Sequence, residues 1–424
     1  MVFVPSVGAA GHAASGVRRA PQFRATALAL AASLLVMTGC AGAGPHTGSS
    51  GSSLARPVFH RPARPAGHAV WAPWPSALHD ARHGGAADGI GPAAGTISWR
   101  RRLEGPVTPG PVVGPDGTIY VASNAGVLHA LDPVTGKDRW VYDSGQSNLG
   151  DDLSVSPLVL PGGAILWPTP GQQLLELSAR GEKLWSLTMS GHPTSPASVN
   201  GRRVYVGDAS GGVTAFDIVN QQVPEWVWTV KVGSTSYGSV VVGDGGRLYT
   251  TADSSLIAID DTGVNARIAW RRDPADDISE VSPGLAADGT ALLGTNGTQE
   301  WAYRPDGTLL WHSPRVITYS SPAVTDSGLA YVADHSGAVH VFRISDGVEV
   351  TTYRSSGQIW SAALLDARYD VYFATQSGHV VGQDVNGARL FDLDLGTAID
   401  SYPALTADAN LIVGARDGTL IAIS

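Results

Sequence analysis

TPGPVVGPDGTIYVASNAGVLHALDPVTGKDRWVYD, residues 108–143, contains the pattern that decides the fold. Val112-Val113 closes a short apolar stretch, and Gly114-Pro115-Asp116-Gly117 turns the chain. Thr118 to Ser123 then alternates apolar and small residues as a second strand. After Asn124-Ala125-Gly126, Val127 to Asp132 forms a third. In Asp132-Pro133-Val134-Thr135-Gly136 the Asp carboxylate can accept backbone N–H groups and the Gly supplies a positive φ. Arg139 to Asp143 is the fourth strand. Period-2 alternation of β-branched and aromatic residues supports each strand.

The same unit recurs along the chain. Its fourth strand is marked by Trp99, Trp140, Trp185, Trp228, Trp270, Trp311, Tyr353 and Phe391, at a spacing of roughly 42 residues. First strands return as Ser156-Pro157-Leu158-Val159, Ser195-Pro196, Ser282-Pro283, Ser321-Pro322-Ala323-Val324 and Tyr402-Pro403-Ala404-Leu405. A period in the forties with four strands per unit is the signature of a β-propeller blade. The last unit stops at Ser424 after three strands, while Thr96–Leu103 is a Trp strand with no unit before it. The expected fold is therefore all-β: an eight-bladed β-propeller of four-stranded antiparallel blades. The N-terminal strand would complete the last blade and leave no open edge. A seven-bladed ring would require discarding one copy, the degenerate Phe391 unit first. Recurrence of the aromatic in every unit assigns it to packing between blades.

Composition agrees with this architecture. The 424 residues include 52 Gly and 27 Pro with 15% charged, as many tight turns require. Residues 1–39 read as an export signal. Arg18, Arg19 and Arg24 precede the apolar run Ala25–Thr38, which is too short to span a bilayer comfortably. Translation is expected to begin at Val17, which would shorten an otherwise long basic region. Met37-Thr38-Gly39-Cys40 resembles the lipobox of bacterial lipoproteins, with Met where Leu is usual. Cys40, the chain's single cysteine, would be the lipidation site. Residues 40–70 are rich in Gly, Ser, Pro and Ala and read as a disordered tether. Residues 71–95 form a lead-in, and 96–424 form the ring. Removing residues 1–39 strips three Arg and no acid, which takes the formal charge from −9 to −12. An acidic protein makes a poor nucleic-acid partner.

The repeat resembles the pyrroloquinoline-quinone (PQQ) family, whose blade runs S-P-A-V, D-G-x-x-Y-V-G, D-G-x-L-Y-A-L-D, x-x-T-G, W. Ser321–Val324 and Asp116–Trp140 carry that likeness, which spans about residues 96–424. Trp74-Pro75, His79-Asp80 and His83-Gly84 resemble a lead-in seen before such propellers. WD and kelch repeats fit less well, since no Gly-His…Trp-Asp pair recurs and the period is short for kelch. Quinoprotein dehydrogenases in the family hold PQQ beside Ca²⁺, with an acidic base and usually a vicinal disulfide. This chain has no Cys pair, no Cys-x-x-Cys-His haem motif and no long insertions. The resemblance therefore implies a non-enzymatic ring without a cofactor, in the manner of the BamB-like propeller lipoproteins. It would be a monomer anchored to the cell membrane or outer membrane, with other envelope proteins as partners. The alternative is a ring that binds a small ligand such as PQQ, a metal or a sugar.

The loops entering the first strands are expected to converge on one mouth of the central channel. They contain Asp152, His192, Tyr237, Glu280, Tyr319, Trp360 and Asp400. Acidic and aromatic groups around one opening suit a cation, a sugar or a basic peptide loop. His79 and His83, four apart, would share a helical face and bind Zn²⁺ only with further ligands, and none are visible nearby. No residue earns a catalytic role.

Overall fold

The computed structural model describes residues 73–147, 155–219, 222–274, 278, 281–295, 299–314, 316–318 and 320–424. The export signal, Cys40, the tether, Asp152, Glu280 and Tyr319 lie outside these residues. Eight four-stranded antiparallel sheets form the eight blades. In chain order the first seven span residues 112–143, 158–188, 198–231, 241–272, 284–312, 323–354 and 364–394. The eighth joins Ala404–Leu405, Leu411–Gly414 and Thr419–Ile423 to the N-terminal strand Ile97–Arg102. Trp99 pairs with Ala422 and Arg102 with Thr419, so the ring is closed as expected by a strand from the opposite end of the chain.

The blades are joined by a repeated contact between an indole and a turn. Trp140 Nε1–H of blade 1 donates to the Ala179 carbonyl in the outer turn of blade 2, at 2.9 Å. Trp99 does the same to Pro133 (2.9 Å), Trp270 to Pro305 (2.9 Å) and Trp311 to Ile344 (2.6 Å), each reaching the next blade. The receiving turn needs glycine for two reasons. Gly181 has φ +83°, and a Cβ there would stand 2.6 Å from the Trp140 ring. Gly136, Gly307 and Gly347 are in the same position against Trp99, Trp270 and Trp311. Opposite the indole on its own sheet stands a small residue: Ala130, Ala215, Ala258, Ala302 or Ala422. The aromatic repeat read from the sequence is thus a set of inter-blade fasteners.

Four joints depart from this rule; at one of them Phe391 of blade 7, which faces Gly382, has no side-chain N–H to donate. The Trp185 N–H instead donates 2.7 Å to Glu176 on its own sheet, where six of the other seven blades have Ala or Gly. Trp228 donates to the Asp261 carboxylate of blade 4, which also accepts from Tyr205 and Arg203. In blade 6 the register corrects the sequence alignment. Thr351, not Tyr353, occupies the Trp position and faces Val341. Tyr353, two residues on, still spans the joint, because its hydroxyl donates to the Val385 carbonyl at 3.0 Å.

The innermost strands would present unpaired N–H groups to the channel. The lead-in satisfies them by running around the inside of the ring. Val113, Val159, Val242, Leu285, Val324 and Leu365 donate to the carbonyls of Trp74, Pro75, Ala81, Arg82, Gly84 and Gly85. Six of the eight blades are closed this way, and buried backbone groups are thereby paired. Trp74 is fully buried in the core this segment helps to form. Residues 74–85 are therefore part of the propeller rather than a separate approach to it.

One core residue breaks the pattern. Leu128, Leu174, Val213, Leu256, Val339, Val380 and Leu420 share one third-strand register, and blade 5 puts Glu300 there. Glu300 is 0% exposed, neither carboxyl oxygen has a hydrogen-bond partner, and burial pushes its pKa well above the usual carboxylate range.

Two outcomes follow for stability. Trp140→Ala is expected to cost about 3 kcal/mol and Gly181→Ala about 1–3 kcal/mol. The double variant should lose less than their sum, because the Ala methyl no longer meets a ring. A denaturant double-mutant cycle measures that coupling. Because Glu300 titrates higher in the folded state, the folded protein binds more protons than the unfolded chain above about pH 4.5. Stability should then fall as pH rises from there toward the folded value. Glu300→Leu should remove that slope in pH-dependent melts and add about 1–3 kcal/mol at pH 7.

Candidate functional site

Where the first strands begin, the ring opens into a cup of about 620 Å³. Its floor is the lead-in, from Pro75 to His83. Its walls include Thr108-Pro109-Gly110 and the run Thr194–Val199, with Ser156, Ser239 and Ser282 from neighbouring blades. Tyr237, Trp360, Asp400, Tyr402 and Arg416 complete the lining. The Ser-Pro copies at Ser156, Ser195 and Ser282 therefore stand at the walls, each just ahead of an inner strand.

The structure brings Tyr237, Trp360 and Asp400 together on this cup. Trp360 is 39% exposed and stacks at 5.6 Å on His335. Asp400 is not free acidity, because Arg416 is ion-paired with it. His192 stands apart: its side chain is exposed outside the lining, and only its carbonyl is engaged, by Ala209 N–H at 2.8 Å. Sequence reasoning missed Arg416, which belongs to the Arg416-Asp417-Gly418 turn. It also missed the floor, whose position depends on a segment that folds back into the ring.

In the floor, residues 76–83 are a succession of turns, so His79 and His83 do not share a helical face. Among the described residues no three His, Cys, Asp or Glu side chains group as metal ligands. Asp80 is held below the usual carboxylate range: burial opposes its charge, but His79 and the backbone N–H groups of Gly84 and Arg82 outweigh it. Burial pushes the His83 imidazole down to about 4, leaving it neutral near pH 7 with no partner on Nδ1. PQQ carries three carboxylates and calls for cationic partners. Arg416 is the only Lys or Arg among the described lining residues, and it is committed to Asp400. The cup does not fit that group.

A second surface lies on the outer strands. Trp226, Ile268 and Leu309 occupy the same register on three consecutive blades and are all exposed, Trp226 at 64%. Val223 and Val264 on the adjoining turns are exposed as well. Blades 1, 2, 6 and 7 have Asp138, Lys183, Glu349 and Arg389 at that register. The signal was present in the sequence two residues before each fastening aromatic, but the stronger periodicity of the Trp itself masked it.

A closed ring of eight such blades with a polar axial cup is a PQQ-type propeller. A family model described as outer membrane protein assembly factor BamB matches residues 84–224 and 224–424, and the chain belongs to that family. It is 22% identical over 258 residues to the outer membrane protein assembly factor BamB of Moranella endobia, covering 58% of this chain and 64% of that protein. With the protein of the same name from Xanthomonas campestris the identity is 23% over 320 residues, 61% of this chain and 75% of the other. The chain thus spans 64% of the length of the Moranella relative, and the same share of one from Yersinia pestis.

Among solved structures it is similar to BamB from Moraxella catarrhalis, with TM-score 0.61 and 15% identity, over 78% of this chain and all of that one. It is also similar to the quinohemoprotein alcohol dehydrogenase of Comamonas testosteroni, with TM-score 0.67 and 14% identity, over 82% and 80%. At these identities the likeness is one of fold.

Proposed function

We propose that this ring is a non-enzymatic docking platform for other envelope proteins, held at a membrane by a lipid on Cys40 and spaced from it by residues 40–70. The observation that carries the reading is the apolar strip of Trp226, Ile268 and Leu309 on neighbouring blades, where four other blades place charged residues. Exposed apolar patches rimmed by polar residues mark interaction surfaces, and a partly exposed Trp is a common anchor in them. The family supports the same reading, since its curated members are named as outer membrane protein assembly factors. In a cell with an outer membrane, the partners would be components that assemble proteins there. The ring acts as a single copy, presenting the strip to its partner.

Two experiments test the proposal. A photo-crosslinker beside Trp226 should capture an envelope protein in the native cell. Trp226→Asp combined with Ile268→Asp should reduce that capture at least about tenfold, with stability changed by no more than about 0.5 kcal/mol per exposed site. Undiminished capture by the double variant would refute the strip. Separately, Cys40→Ala should move the protein from the membrane fraction to the soluble fraction in a fractionation blot. Retention in the membrane would refute the anchor.

A further inference from the structure

We propose that His340 is a pH-sensitive clamp on the rim of the axial cup, holding the turn Asp334–Gly337 against which Trp360 packs. The inference goes beyond the docking role and does not rest on it, since it concerns the cup rim and not the outer strip.

The turn is a junction of three blades. The His335 N–H donates 2.9 Å to the Ile317 carbonyl in the connector from blade 5. The Asp334 carbonyl accepts from the Ile359 N–H in the connector to blade 7, at 3.3 Å. The His335 ring stacks on the indole of Trp360, which lines the cup. Within the turn, one Asp334 carboxylate oxygen accepts the N–H groups of Ser336 (2.8 Å) and Ala338 (2.9 Å) and the Ser336 hydroxyl. The other oxygen lies 3.2 Å from Nε2 of His340 on the third strand. Nδ1 of the same ring lies 2.8 Å from Glu349 on the outer strand. Blade 1 has His129 at the equivalent register, but its turn begins with Ser123, and Nε2 meets Glu104 instead. Blade 3 begins its turn with Asp208 but has Thr214 at that register.

The chemistry makes the clamp conditional. An imidazolium carries two N–H groups and serves both carboxylates, whereas a neutral ring has one N–H and turns a lone pair toward the other. The shorter contact is to Glu349, so loss of the proton opposes the Nε2 lone pair to Asp334 and releases the turn from the strand. Burial works against the charged ring, but the hydrogen bonds to Asp334 and Glu349 outweigh it and hold its pKa above the ordinary imidazole value. Burial opposes both carboxylates as well, and their hydrogen bonds bring each below its usual range. The other titratable or charged groups at the clamp are His335 in the turn and Arg354 beside Glu349. This face of the strand packs on blade 5 through Phe342 and Trp311, and there the buried titratable group is Glu300. Because the folded state favours the proton, the clamp is fully formed below about pH 6.5 and is lost as pH rises through the raised value.

The test is a pH titration of the full chain carrying ¹⁵N-labelled histidine and tryptophan, read by NMR at the imidazole nitrogens and the Trp360 indole N–H. His340→Gln and Trp360→Phe assign the two signals. The His340 midpoint should lie above that of free histidine, and the Trp360 signal should move with the same midpoint. Glu349→Gln should lower that midpoint, and His340→Gln should abolish the Trp360 movement between about pH 6 and 9. Three results would overturn the proposal: a His340 midpoint at or below the free value, a Trp360 signal that stays still through it, or a Trp360 response that survives His340→Gln. Should His340→Gln not fold, a midpoint that fails to drop in Glu349→Gln refutes the clamp equally. Partner capture at Trp226 is independent of these outcomes.

Discussion

Five of the eight blades are fastened to the next by an indole hydrogen bond that they cannot make alone. The indole of the outer strand is too large to be covered by its own sheet, so it lies across the gap and donates to the next blade's turn. That geometry makes two demands at once. The turn must come within contact distance of a ring, which removes the Cβ, and it must adopt positive φ, which also favours glycine. The Trp and the Gly roughly forty residues later are therefore one structural unit split between two blades. Ring closure follows from the same rule. Trp99 needs the turn at Pro133 ahead of it, and its strand needs Thr419–Ile423 beside it.

Where the fastener changes, its partner changes with it. At the joint to blade 3, the Trp185 N–H finds Glu176 in place of the usual Ala. Blade 6 has Thr in place of Trp, and the facing small residue grows to Val341. At both joints the residue facing the outer strand changes together with the fastener, as close packing requires. Glu300 is the exception, a carboxyl in a row of Leu and Val with nothing to bond. Nothing in the described structure explains its choice.

Much of the fold was legible because a propeller writes its architecture in one local period. Strand alternation, turn chemistry and the aromatic spacing all lie within forty residues of each other. The mouth was legible only in part. Tyr237, Trp360 and Asp400 meet on the cup because they precede equivalent inner strands, whereas His192 precedes one too and still faces out. Register along a strand predicts height in the ring; it does not predict which way a loop side chain turns. The acidity expected at the mouth was also reduced by Arg416, from a turn that no alignment of first strands would include.

The sequence by itself pointed to eight blades, their strand order and the closing strand, because each aromatic marks one fourth strand and the surplus N-terminal copy completes the unfinished last unit. Only the tertiary structure decided three further things. The lead-in became the floor of the channel, because six inner-strand N–H groups needed acceptors and its carbonyls were within reach. Tyr353 took over a joint from a different register, because its longer reach could still find the Val385 carbonyl. Trp226, Ile268 and Leu309 came to lie side by side, because residues some forty positions apart are neighbours only once the blades stand in a ring.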